Sequence, residues 1–287
     1  MTSVDQIIYN VGEPSEHLIE LASVVPQDFT SFSFAYGSGV FPQKNQQNIS
    51  ENMADFVFVV NNAFKFHKKN LERNPQHYSF LRFFGGRWIS RYQKELSAGV
   101  YCNTMIRVKP SKRLIKYGVI ETGDLITDLL DWETLYIRLS YSGDFRMLVG
   151  EDKQKISNIV GQNVDRFQLL YEPILTDIEQ IYQRGENFTQ DLSVASVYHH
   201  LSLLPKGILW PIQRLWNRDG QNRDLEEVVF ALAHGRRYKN QVENALKSIV
   251  FASSTKQTLK NIPAAGVKKT LHYSAKKLLK MLRSIRK

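Results

Sequence analysis

Apolar and polar positions alternate with a period of two through much of the first half of this chain, then recur at helical spacing through the second. Phe32, Phe34 and Tyr36 alternate before Gly37-Ser38-Gly39, which predicts a strand running into a glycine-rich turn. The run from Met53 to Val60 is β-branched and aromatic, with Asp55 in its opening half, and predicts a buried strand. Between them, residues 43–52 are polar and read as a loop. Residues 63–73 fit a helix with Phe64, His67 and Leu71 on one face, stopped by Pro75. A second helix covers about 88–96 and ends near Gly99. The runs 100–108 and 113–120 flank a Lys109-Pro110-Ser111-Lys112 turn and predict a hairpin, and Asp124 is placed to cap a short helix through Leu130. Upstream, apolar positions at Ile7, Ile8, Val11, Leu18, Leu21 and Val25 are interrupted by Gly12 and Pro14, giving two short segments.

Beyond Gly150 the periodicity turns helical. Ile156, Ile159, Val160, Val164, Phe167 and Leu170 predict a helix that Pro173 breaks or kinks, and residues 191–204 and 224–234 predict two more. Strands and helices alternate without a strict βαβ rhythm, so the expected class is α/β with a mixed sheet. The expected division is residues 1–150, residues 151–255 (mainly helical) and a tail at 256–287.

Composition narrows the picture in three ways. A hydrophobic content of 43% with 23% charged residues suits a globular chain, and no apolar run approaches the ~20 residues of a spanning helix. The single cysteine, Cys102, excludes an internal disulfide and a multi-cysteine metal site, and its strand-like surroundings favour a buried thiol. The net charge of +10 is concentrated at one end: residues 256–287 carry ten Lys or Arg and no Asp or Glu. There Val267, Leu271, Ala275, Leu278, Leu282 and Ile285 form a narrow apolar stripe, with Lys269, Lys276, Lys280 and Arg283 on the other side. That pattern predicts an amphipathic helix for an anionic membrane surface; packing of the stripe onto the protein itself is the alternative. The N-terminus has five acids before its first base, Lys44, so no transit peptide is visible.

The chemistry concentrates near the glycine turn. Gly37 lets backbone N–H groups approach an anion without Cβ interference, and Ser38 adds a hydroxyl, although Ser-Gly pairs also mark ordinary loops. Asp55 inside an apolar strand needs a partner, and Mg²⁺ carried by a triphosphate is one. Lys116, alternating with Ile115 and Tyr117, can reach the same anion, or simply be an exposed strand lysine. His77 and Tyr78 follow a helix end and are candidates for nucleotide contact, with Asn70 and Asn74 beside them; His67 reads as a packed core residue. Asp144 is the candidate second metal carboxylate, against a turn Asp pairing with Arg146, whereas Asp128 fits a capping role. No zinc-ligand spacing, Ser–His–Asp order or Walker-type loop is present.

Tyr36-Gly37-Ser38-Gly39-Val40-Phe41, the Asp55 strand, Asn74-Pro75-Gln76-His77-Tyr78-Ser79, Lys116-Tyr117-Gly118-Val119-Ile120, Ser140 to Met147 and Gly220-Gln221-Asn222-Arg223-Asp224 resemble the mitochondrial CDP-diacylglycerol synthases, the mitochondrial translocator assembly and maintenance family. The resemblance implies a polymerase-β-like nucleotidyltransferase domain, a helical domain and a basic C-terminal helix. It also implies Mg²⁺, CTP and phosphatidic acid as cofactor and substrates, cardiolipin synthesis downstream, and a peripheral place on the matrix side of the mitochondrial inner membrane. With the residue reading above, the expected site set is Asp55, Lys116 and Asp144 for catalysis, with Asp55 and Asp144 on the metal and Gly37, Ser38, Lys116, His77 and Tyr78 on the nucleotide.

Two departures stand out. The superfamily places two carboxylates two residues apart on this strand, whereas Met53 and Val57 flank Asp55. Family members also carry several dozen residues where Ile137 here runs directly into Arg138, which puts activity in question. Two rivals therefore stand beside the cytidylyltransferase: an RNA nucleotidyltransferase, modestly disfavoured by the lack of an obvious aromatic–basic RNA platform, and a non-catalytic scaffold of a membrane complex.

Overall fold

The computed structural model describes residues 16–37, 39–40, 52–109, 111–136, 144, 161, 164–184, 187–267, 269–271 and 275. The chain divides into two compact units, one of residues 14–155 with 247–287 and one of residues 1–13 with 156–246.

The first unit is built on a four-stranded mixed sheet. Helix α1 (Glu16–Ala22) precedes β1 (Thr30–Tyr36), β2 (Ala54–Val60) and α2 (Ala63–Arg73). Two 3₁₀ turns, Pro75–His77 and Phe80–Phe84, lead into α3 (Gly85–Glu95), then β3 (Tyr101–Arg107), β4 (Leu114–Glu121) and α4 (Thr122–Asp131). The strand order is β1-β2-β4-β3, with β2 and β4 parallel and the outer pairs antiparallel. Residues in β2 and β4 are apolar almost throughout because both faces are covered. On one face Phe56, Phe58, Ile115, Tyr117 and Val119 pack with Leu21, Ala63 and Phe66. On the other, Val57, Val59 and Ile120 meet Ala98, Val100, Cys102 and Leu125, with Phe34, Tyr36 and Tyr136 against them. Phe58 and Phe66 are wholly buried, each contributing roughly 1.5–3 kcal/mol of hydrophobic stabilisation.

Several elements differ in detail from the sequence reading. Helix α2 has the expected bounds, and Asn62 caps it by accepting from Lys65 N at 2.9 Å. Its buried face is Ala63, Phe66, His67 and Asn70, because Phe64 and Leu71 lie at the stripe's edges. Helix α3 begins three residues early at Gly85, where a φ of 77° ends the 3₁₀ turn. Asp124 sits in the first turn of α4 after Glu121, not at its cap.

The second unit holds α5 (Val164–Thr176), a hairpin of β5 (Ile181–Arg184) and β6 (Asn187–Gln190), α6 (Val194–Ser202), α7 (Lys206–Trp216) and α8 (Leu225–His234). The hairpin follows the helix on which Val164, Phe167 and Leu170 were expected, and Pro173 lies inside that helix. Helix α8 opens on a capping box, Asp224 accepting from Glu227 N at 2.8 Å while Glu227 accepts from Asp224 N at 2.9 Å.

The long helix α9 (Tyr238–Ala265) runs past residue 256, where the expected tail begins. Within the first unit, Gln257, Lys260 and Ala264 are buried, and Gln257 donates to Val100 O at 3.0 Å. The Lys260 ammonium donates to Gln93 O and Leu96 O, closing the carbonyl end of α3. Residues 256–265 are thus part of the folded unit. Val267 and Leu271 beyond them are exposed; Leu278, Leu282, Ile285, Lys276, Lys280 and Arg283 lie outside the described residues.

Candidate active site

The pairing of strands brings three predicted features together: Asp55, Lys116 and the glycine turn. Asp55 is opposite Tyr36 in the antiparallel β1–β2 ladder and opposite Lys116 in the parallel β2–β4 ladder. Side chains alternate along each strand, so these three share one sheet face. Lys116 Nζ stands 3.9 Å from Asp55 Oδ1, and both side chains keep about a quarter of their surface exposed, at 23% and 25%. Electrostatic interaction with Tyr36, and then with Asp55, holds Lys116 well above the usual lysine range, overcoming the opposing effect of burial. Lys116 is therefore a fixed cation at neutral pH.

The glycine turn lies over this pair. Gly37 has φ 80°, and a Cβ there would stand 3.3 Å from Asp55 Oδ2. At Gly39 a Cβ would meet Met53 O at 2.3 Å, so only glycine lets the turn lie against the start of β2. Val40 N donates to Gly37 O at 3.1 Å, closing the turn. Ser38 lies outside the described residues.

Arg113, which the sequence reading did not single out, ties down both ends of the intervening loop. Its Nη2 donates to Gly39 O at 2.6 Å and its Nε to Asn52 O at 3.4 Å. Burial lowers its pKa, but a guanidinium stays charged at any ordinary pH. Both partners are backbone carbonyls far away in the sequence, so no local pattern announces the residue. Further along the same face, Phe34, Tyr36, Val57, Val100, Cys102, Gly118 and Tyr136 line an apolar slot. Asp128 shapes the approach to Tyr136, accepting from Thr134 N at 3.0 Å, Thr134 Oγ1 at 2.6 Å and Leu135 N at 2.8 Å. Its role is thus to organise a turn.

His77 and Tyr78 do not join Asp55 and Lys116. They belong to a buried hydrogen-bonded network on the opposite face, reached through Tyr117. Asn70 Nδ2 donates to the hydroxyls of Tyr78 and Tyr117, each at 2.9 Å. Those hydroxyls stand 2.9 Å from His67 Nδ1 and His77 Nδ1 respectively. Gln93 Oε1 lies 2.8 Å from His67 Nε2, which assigns the proton there and makes Nδ1 an acceptor for Tyr78. Burial drives the pKa of His67 down to about 4, against the opposing bond to Gln93; burial and then the Lys269 charge do the same for His77. Tyr117 follows Lys116 by one residue, and in a strand that single step carries the side chain to the other face. His67 is the packed core residue the sequence suggested, and His77 and Tyr78 share that role.

Asp144 is buried at 4% exposure and belongs to the same compact unit as Asp55, while its alternative partner Arg146 lies outside the described residues. Among the described residues no group of three His, Cys, Asp or Glu is assembled for a metal. The donor set is one carboxylate beside a cation and a glycine turn. That suits a Mg²⁺ ion that brings its own phosphate ligands, since Mg²⁺ is commonly held by one or two carboxylates plus substrate phosphates.

Comparison with known proteins identifies relatives of the chain. A family described as "Phosphatidate cytidylyltransferase, mitochondrial" matches residues 18–138 and 137–280. Proteins of that name from Caenorhabditis elegans and Danio rerio are 38% and 39% identical over 318 aligned positions, covering 92% and 91% of this chain and 98% and 93% of their own lengths. The Xenopus laevis protein is 38% identical, covering 93% of this chain and 95% of its own. The two family matches adjoin at Ile137 and Arg138. In the nematode alignment, 92% of 287 residues is about 264, so about 54 of the 318 positions have no counterpart in this chain.

Proposed function

The chain belongs to the mitochondrial phosphatidate cytidylyltransferase family, and on that premise we propose that it joins CTP to phosphatidate, forming CDP-diacylglycerol and pyrophosphate at the Asp55–Lys116 face. The observation that carries the reading is the placement of a fixed cation and a carboxylate side by side on parallel strands, beneath a turn that only glycines can make.

In this reaction a phosphate oxygen of phosphatidate attacks the α-phosphorus of CTP, and the bond to the β-phosphate oxygen breaks. The acceptor is already largely ionised near neutral pH, its second pKa being roughly 6, so no strong general base is needed. Lys116 neutralises charge on the triphosphate, and the backbone of Gly37 with the Ser38 hydroxyl donates to phosphate oxygens. Arg113 holds the turn in position for that contact. Asp55, with Asp144 as the second carboxylate, would hold Mg²⁺, which when bound supplies charge neutralisation at the transferring phosphoryl group and the leaving pyrophosphate. The nucleotidyltransferase domain is read as polymerase-β-like, and the residues from Gly266 onward as a basic anchor to an anionic surface. The proposed setting is the matrix side of the mitochondrial inner membrane, upstream of cardiolipin.

A second reading, a non-catalytic scaffold, draws on the positions missing at Ile137–Arg138. One assay decides between them: labelled CTP and Mg²⁺ with phosphatidate vesicles, run on this chain and on one carrying the family's segment at that junction. Lipid-soluble label that disappears in Asp55→Asn supports the transferase. No label from either chain overturns it in favour of the scaffold, and label passing to an added RNA instead would reassign the acceptor.

A further inference from the structure

The 3₁₀ turn Phe80–Phe84 and the start of α3 carry an exposed aromatic cluster that the proposed reaction does not use. Phe80, Phe83, Phe84 and Trp88 are 51%, 77%, 56% and 37% exposed. Single exposed apolar residues are ordinary on a protein surface; four aromatics within nine residues are not. The rings of Phe84 and Trp88 lie 5.0 Å apart, and Trp88 stacks on Tyr92 at 5.1 Å.

The scaffold beneath these rings is well anchored. Leu81 and Ile89 are buried at 2% and 0% exposure, pegging the segment to the unit. Ser79 Oγ accepts from Leu81 N, starting the turn. A Cβ on Gly86 would meet Lys68 N at 2.8 Å, so this glycine allows α3 to lie against α2. The aromatics are thus held outward by a folded turn.

Charge points to the occupant. Between Asn74 and Lys94 there is no Asp or Glu; Arg91 and Lys94 pair with Glu95 and Glu121, and Arg82 and Arg87 flank the aromatics. The Arg82 guanidinium lies 4.9 Å from the Phe83 ring centre. The patch also adjoins the basic C-terminal segment: Ser79 Oγ donates to Pro263 O at 2.6 Å, and a Cβ on Gly266 would lie 3.4 Å from Ser79 Cβ. Val267 and Leu271, which follow, are 59% and 66% exposed. Phe and Trp flanked by Arg, beside a basic amphipathic segment, is the composition that enters a headgroup interface.

We propose that Phe80, Phe83, Phe84 and Trp88 form a rigid aromatic wedge that inserts into the interface of an anionic bilayer, with Arg82 and Arg87 on lipid phosphates. This rests on the reading that the substrate is a membrane lipid. It adds a second point of attachment to the C-terminal segment, and two points fix an orientation that one helix leaves free to rotate.

The test is sedimentation of the full chain with phosphatidate–phosphatidylcholine vesicles, comparing Phe83→Ser/Phe84→Ser with a chain ending at Ala265. The double variant should lose about tenfold in vesicle partition while its thermal melt and its CTP binding in solution stay unchanged. Brominated lipids should quench fluorescence of the full chain, and that quenching should shrink in Trp88→Phe. Unchanged partition and quenching in these variants, with loss only on truncation, overturns the wedge and leaves the lipid reading intact. Failure of the unaltered chain to bind any anionic vesicle overturns membrane docking altogether. Vesicle binding retained by the double variant alongside a shift from dimer to monomer would reassign the patch to a protein interface and equally overturn the wedge.

Discussion

At the scale of single residues, the candidate site depends on contacts that a one-atom change disturbs. Gly37→Val places a β-branched side chain at φ 80° and against Asp55 Oδ2, so CTP affinity measured by calorimetry should be lost. Lys116→Ala should weaken CTP binding by tenfold or more, since its ammonium stands beside Asp55 at the site. Unchanged affinity in both variants removes these residues from the nucleotide site. Arg113 acts through the turn. Its two bonds reach two carbonyls in a fork that an ammonium does not reproduce. Arg113→Lys should therefore raise the KM for CTP several-fold with a smaller effect on kcat. A purely structural role would instead lower the melting temperature and leave the KM unmoved.

At the scale of elements, the network joining α2, the Pro75–His77 turn and β4 makes stability depend on pH. His67 and His77 have pKa values near 4 in the fold against 6.5 in the unfolded chain, chiefly because both rings are buried. Between those values the unfolded chain binds protons that the folded chain refuses. The contribution is complete above about pH 6.5 and is lost as pH falls toward 4. At about pH 5 the loss amounts to roughly 2 kcal/mol for each histidine. Denaturant titration at pH 7 and pH 5 should show it, and His77→Gln should remove about half of the difference. In the second unit, Asp224→Ala removes the side-chain half of the capping box on α8, the bond accepted from Glu227 N, and should cost about 1 kcal/mol, read as a lower melting temperature.

At the scale of the whole molecule, the proposed membrane anchor and the folded part of the C-terminal region are separated by a truncation series. A chain ending at Ala265 keeps Gln257, Lys260 and Ala264 in the first unit and should melt near the full-length value, yet lose much of its binding to anionic vesicles. A chain ending at Thr255 loses those buried residues as well and should be plainly destabilised. Vesicle binding by the full chain should weaken with salt, because attraction by a net charge of +10 is screened over roughly a Debye length. Equal vesicle binding by the full chain and the chain ending at Ala265 would remove the anchor from the residues after Gly266.

The sequence by itself determined what local rules control. The β-branched run of β2, the Pro75 stop after α2 and the turn before β4 are read from periodicity and breakers, because each is decided by neighbours a few residues away. Gly37, Asp55 and Lys116 were legible as chemistry for the same reason: a glycine turn, a carboxylate in an apolar strand and a lysine on its own strand are each unusual where they stand. Which of these residues meet was decided only by strand pairing. The parallel register of β2 and β4 sets Lys116 beside Asp55, and the one-residue step to Tyr117 sends His77 and Tyr78 into the buried network on the far face. Arg113 and Lys260 escaped notice because their partners are backbone carbonyls distant in sequence, carrying no residue-type signal. Likewise the basic run reads as an amphipathic helix for a membrane surface, with packing onto the protein as the alternative, and only the fold shows that Lys260 within it closes the end of α3, since burial of a lysine is a property of what folds around it.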